Sequence, residues 1–115
     1  MTADVERRVS GSTAAAHEAV RYILTSPSLG DRCRPLLDGD GFDWPGLLAE
    51  AEAMSSGQRL LVHAAHELWE APGVVGIWEL ARGLDRTSFD RVVTALRHYR
   101  GDAGLGSLER LRDAA

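Results

Sequence analysis

The sequence predicts an all-α fold: one compact bundle of five to six short helices. Three observations point there. A length of 115 residues suits a single hydrophobic core and is short for two. The apolar fraction of 44% is that of an ordinary globular chain, but with only three Trp, two Tyr and two Phe the core must be built from Leu, Ala and Val. Apolar residues recur at three- and four-residue spacing in successive segments, and Pro, Gly and capping residues separate those segments. The domain is taken as residues 1–115, with 1–12 its least determined end and 55–100 its best-defined amphipathic part.

Taken in order, Val5 and Val9 suggest a short helix before Gly11. A clearer one runs from Thr13 to Thr25, capped by Ser12 or Thr13, with Ala16, Val20, Ile23 and Leu24 inward. Ser26-Pro27 stops it, because Pro27 cannot donate a backbone hydrogen bond. The same pair can open a further short helix that buries Leu29, Cys33, Leu36 and Leu37. Asp38-Gly-Asp-Gly-Phe-Asp43 reads as a loop, with Asp43 capping a helix over Pro45–Met54. Ser55-Ser-Gly-Gln58 has the spacing of a capping box and opens the strongest helix, which reaches Glu70 or Ala71. On its wheel Leu61, Val62, Ala65, Leu68 and Trp69 share one face. Arg59, His63, His66, Glu67 and Glu70 share the other. Ala71-Pro72-Gly73 ends it. A shorter helix over Gly76–Arg82 is expected to point Ile77, Leu80 and Ala81 inward. Thr87 is expected to cap the next, which carries Phe89, Val92, Val93, Leu96 and Tyr99 and ends at Gly101. Leu105, Leu108 and Leu111 repeat a weaker pattern in the tail. The expected core is Val20, Leu24, Leu47, Leu61, Ala65, Leu68, Leu80, Phe89, Val92 and Leu96.

The formal charge is -4, and all of it lies in the first half of the chain. Every basic residue is Arg, so each positive group is a fork suited to carboxylate or phosphate. No basic arm is present, and nucleic-acid binding would require a local basic face. Cys33 is the single cysteine, which excludes an intrachain disulfide and a thiolate-rich metal site; it reads as a small buried hydrophobe. The N-terminus carries Asp4 and Glu6 and lacks the apolar core of a secretory signal. No run approaches the roughly 18 apolar residues of a membrane span. A soluble, cytoplasmic protein without membrane partners is expected.

Motifs for chemistry are sparse. The 38–43 loop fails the EF-hand pattern, since a loop starting at Asp38 would place Phe42, Asp43 and Ala49 where the motif needs an oxygen ligand, Gly and Glu. His63, His66, Glu67 and Glu70 share a helix face and are weak metal candidates, but their spacing is neither H-E-x-x-H nor H-x-x-E-H, and a solvated polar face explains them. No nucleophile elbow and no Gly-rich phosphate loop appear. No catalytic residue and no cofactor are therefore expected, and the chain leans away from being an enzyme.

Gly83-Leu-Asp-Arg-Thr-Ser-Phe-Asp-Arg-Val-Val93 resembles the turn and recognition-helix half of helix-turn-helix DNA-binding domains. Gly83, Leu84, Phe89 and Val92 occupy the pattern's turn and buried positions. The resemblance implies that Arg86, Thr87, Ser88, Asp90, Arg91 and Thr94 lie on or near the groove-facing side, with Arg97 and Arg100 toward phosphates. The first half departs from the pattern: Glu79 stands where a small residue is usual, and the first helix is about two residues short. Large aromatics off the apolar stripes, Trp78 above all, suit contacts with another protein. The sequence therefore reads first as a non-catalytic interaction or adaptor module that engages a protein partner or a second copy of itself, as in a homodimer. Duplex DNA binding is the alternative, and a small enzyme or metal protein built on the His63/Glu67 face is the third reading. Contact candidates are Trp78, Arg82, Arg86, Ser88, Arg91, Thr94 and Arg97.

Overall fold

A computed structural model describes residues 14–39 and 41–102. The expected helix around Val5 and Val9, the caps at Ser12 and Thr13, and the tail pattern from Leu105 lie outside the described residues. Among the described residues five helices make an all-α bundle: α1 over residues 14–24, α2 over Trp44–Glu52, α3 over Ser56–Glu70, α4 over Ile77–Gly83 and α5 over Arg86–Tyr99. No helix among the described residues is long and apolar enough to cross a membrane.

Between α1 and α2 the expected short helix is replaced by two single 3-10 turns, Pro27–Leu29 and Arg34–Leu36. Two local causes divide it. Gly30 turns the chain at a φ of 58°, and Pro35 supplies no N–H to continue a ladder. The side-chain pattern still holds in part, with Leu29 and Cys33 buried and Leu36 and Leu37 packed against the core. The chain then forms a small antiparallel hairpin, β1 (Leu37–Asp38) on β2 (Gly41–Phe42), in which Leu37 faces Phe42. Asp43 caps α2 by accepting from the Gly46 N–H at 3.1 Å. A Cβ on Gly46 would lie 2.6 Å from that carboxylate and 2.9 Å from Leu36, so any other residue there would displace the capping side chain.

Helix α3 starts at the predicted capping box. The Gln58 N–H donates to Ser55 Oγ at 3.3 Å, and the Ser55 N–H donates to Gln58 Oε1 at 3.1 Å. Gln58 Nε2 also donates to the Ser28 carbonyl at 2.7 Å, which fixes the first turn of α3 against the 27–29 segment. From this start α3 runs through the middle of the bundle, and α2, α4 and α5 all pack on it. Leu61, Val62 and Ala65 are fully buried and meet a core that includes Val20, Ile23 and Leu24 of α1, Leu47 of α2, and Val92 and Ala95 of α5. On the outer side, Arg59 donates to the carbonyls of Ala51, Glu52 and Met54. Its charge thus sits at the negative end of α2.

Helix α5 is rotated from its expected setting. Asp85 is the N-cap, accepting from the Ser88 N–H at 2.8 Å, so the helix starts before Thr87. Its inward line is Ser88, Val92, Ala95 and His98. Phe89 and Leu96, both expected in the core, stand 37% and 45% exposed. The small side chains at 88 and 95 allow α5 to approach the core closely, and this favours their face over the bulkier one. Two polar links then tie α5 to α1. Arg91 Nε donates to the Tyr22 carbonyl at 2.8 Å while its guanidinium lies 3.8 Å from the centre of the Tyr22 ring. Buried His98 meets Glu18 Oε1 at 2.8 Å through Nε2.

In α4 the expectation fails more widely. Ile77 and Ala81 are exposed, and only Leu80 packs on the core, as a partly buried residue. Leu68 is likewise partly buried. The corrected faces are testable by truncation. Leu61→Ala is expected to cost about 3 kcal/mol, a typical core cavity, whereas Phe89→Ala should cost under about 1 kcal/mol. Urea denaturation measures both; a Phe89→Ala loss equal to that of Leu61→Ala would restore the sequence-based orientation of α5.

Candidate functional site

The connection from α3 to α4 is short, so α4 folds back beside the first half of α3. Ala71 leaves the helix in the left-handed region at a φ of 53°, and Gly73 lies there too at 80°. Three consecutive backbone N–H groups then face two carboxylates. Val74 and Val75 both donate to Glu67 Oε2, and Gly76 donates to Glu79 Oε1 at 2.8 Å. One clamp comes from the last turns of α3 and the other from the first turn of α4. At the far end of α4, Gly83 packs against the Leu60 side chain, and a Cβ there would require Leu60 Cδ1 to shift.

Between those two fixed ends lies an open groove of about 510 Å³, within the range of ligand-sized clefts. Ser56, Arg59, Leu60 and His63 form its α3 wall. Val74, Val75, Trp78, Glu79, Arg82 and Gly83 form the other. Val74 is 62% exposed and Trp78 69% exposed, and the neighbouring Ile77 reaches 85%. The Arg82 guanidinium lies over the Trp78 ring, 5.0 Å from its centroid, a cation–π contact that holds both side chains above the groove.

The structure brings together only two of the expected contact residues, Trp78 and Arg82. Arg86 and Arg97 are exposed on α5, and Thr94 is half-buried. Ser88 is only 5% exposed, so it is unavailable to a partner; the corrected rotation of α5 turns it into the core. Arg91 is half-buried against Tyr22. The candidate metal face also disperses. His63 lines the groove and Glu67 clamps the connection. His66 packs on Trp44, with ring centroids 4.6 Å apart, and meets Glu70 through Nε2 at 2.6 Å. Its side chain is 12% exposed, so it does not belong to a solvated face. Trp44 crosses over from the hairpin side and covers it. Among the described residues no group of three His, Cys, Asp or Glu is placed to hold a metal ion. Cys33 is buried, and desolvation together with nearby Glu50 pushes its thiol pKa up, against a smaller opposing effect of Arg32. That is the setting of a packed thiol rather than a nucleophile.

Val74, Val75 and Glu79 are absent from the sequence-derived site. Gly76-x-x-Glu79 is a readable signal, a Glu placed three residues after a helix N-cap. The Glu67 contacts span seven and eight residues and have no comparable signature. The chain matches no protein-family model, no curated protein and no solved structure.

The Glu67 carboxyl is held below its ordinary value of 4.5, first by the Val75 hydrogen bond, with those of Val74 and Gly73 and the nearby His66 adding to it against desolvation. A depressed carboxylate stabilises the fold above its unfolded pKa, and that contribution disappears as pH falls through the folded pKa. Protection of the Val74 and Val75 amides, taken relative to the intrinsic exchange rate at each pH, should therefore fall under acid, below the ordinary carboxylate range. Glu67→Ala should lower that protection at neutral pH by about tenfold and remove the acid dependence. Protection indifferent to both changes would contradict the clamp.

Proposed function

We propose that this chain is a non-catalytic protein-interaction module whose partner docks in the α3–α4 groove. The observation that carries this reading is the coincidence of the groove with the exposed apolar residues Val74 and Trp78, next to which Ile77 is exposed as well. Large exposed side chains scattered over a surface need no explanation, whereas a tryptophan beside a concave, partly apolar wall is a typical binding anchor. The groove also has a rigid frame. Both ends of α4 are fixed, one by carboxylate clamps and the other by the Gly83–Leu60 contact, so docking need not order the groove first.

The duplex-binding reading is weaker. It retains Arg82, Arg86 and Arg97 on the surface, but Ser88 and Arg91, central to its groove-facing set, are committed to internal contacts.

Panning a displayed library of random 12-residue peptides against the chain tests the proposal. The expected outcome is a set of binders whose affinity falls about tenfold or more in Trp78→Ala, as for a hot-spot residue, while the melting temperature stays within a few degrees because Trp78 is exposed. Failure to enrich binders, or binders indifferent to Trp78→Ala, overturns it.

A further inference from the structure

The charges around the groove are not balanced. Arg59 and Arg82 lie on its walls, and among the described residues that line it Glu79 is the only carboxylate. Glu79 is occupied with the Gly76 N–H. Arg59 is occupied as well, with its donors directed at the three carbonyls that end α2. Arg82 differs from both: its guanidinium rests on the Trp78 face and makes no ion pair among the described residues. A guanidinium stacked on an aromatic ring keeps its in-plane N–H donors directed outward, in the fork that matches a carboxylate. Leu60, Val74 and Trp78 supply apolar surface in the same groove. The groove walls thus carry a local positive excess in a chain whose formal net charge is -4.

Resting on the reading of the groove as a docking site, we infer that its occupant is an acidic segment of a partner protein. An aliphatic or aromatic side chain of that segment enters between Leu60, Val74 and Trp78. A neighbouring Asp or Glu meets the Arg82 fork, and Arg59 adds long-range attraction. A basic segment is disfavoured because it would bring like charge against Arg82, with no free carboxylate on the groove walls to receive it. A second copy of this chain and a nucleic-acid backbone are the other occupants that the experiment separates.

The test compares peptides selected from the same random library by the wild-type chain and by Arg82→Glu, an exposed substitution. The wild type is expected to enrich Asp or Glu within one helical turn of an apolar anchor. Binding by those peptides should weaken about tenfold in Arg82→Glu, and also between 50 and 500 mM NaCl. Arg82→Glu should instead enrich Lys or Arg at the same spacing. Groove binders without acidic bias, and unaffected by Arg82→Glu, would overturn the inference and leave the docking site standing; absence of Trp78-dependent binders would overturn both. Sedimentation showing a dimer at micromolar concentration that Trp78→Ala dissociates would assign the groove to a second copy. Salt-sensitive binding of a 20-base-pair duplex that Arg82→Glu abolishes, without peptide enrichment, would assign it to nucleic acid. Either result overturns the acidic-peptide assignment.

Discussion

The buried stripe of α3 is the constraint on which the rest of the structure depends. Leu61, Val62 and Ala65 have no exposed surface, and α2, α4 and α5 are each placed by packing on the helix that carries them. Such a stripe organises a bundle only if the helix start is fixed, because a shift of one residue rotates every side chain by about 100°. The Ser55–Gln58 box supplies that fixed start, and the Gln58 contact to Ser28 carries the register over to the preceding segment. Arg59, one residue on, closes the end of α2. A single stretch of five residues thus sets one helix, ends another and contributes Ser56 and Arg59 to the groove wall.

Packing is least complete at α4. Helix α4 is seven residues long and has no fully buried side chain. Its position depends on clamps at either end more than on a core of its own, and its apolar residues are therefore left facing outward. In a longer helix, Ile77 and Trp78 would be ordinary candidates for burial. Here the glycine contact with Leu60 at one end and two carboxylates at the other hold the backbone close to α3 while the side chains remain available. The combination of fixed backbone and exposed aromatic surface is what a docking site requires.

The legible parts of the fold are those with strong local chemistry. The capping box, the stop at Ala71-Pro72-Gly73 and the Asp43 cap all rest on contacts within a few residues of sequence. The start of α5 is easily misread because Asp85 and Thr87 both satisfy the composition of an N-cap. Its orientation is misread for a separate reason: Phe89, Val92 and Leu96 are apolar at helical spacing, whereas small Ser88 and Ala95 join Val92 on the face that is buried. Ile77 and Ala81 are misplaced because periodicity assumes that a helix has a partner for its apolar stripe, and among the described residues α4 has none on that side. At the site, Trp78 and Arg82 are legible as residues off the stripe. The groove itself is not, since it is produced by contacts such as Gly83 with Leu60 that are 23 positions apart. The Glu67 clamp is hidden for a similar reason: a wheel shows a glutamate on the polar face, but not the backbone that turns back to meet it.

Whether the α3–α4 groove is a preformed surface for an acidic, apolar-anchored segment is tested most directly by chemical-shift mapping. The isotope-labelled chain is titrated with the tightest acidic peptide selected from the library. Perturbed amides are predicted to fall within residues 56–63 and 74–83, with the Trp78 indole and Arg82 Nε signals among the largest shifts and the α1–α5 contacts unmoved. Perturbation centred on Arg86 and Arg97 of α5, or spread through the core as the peptide binds, would contradict a preformed groove.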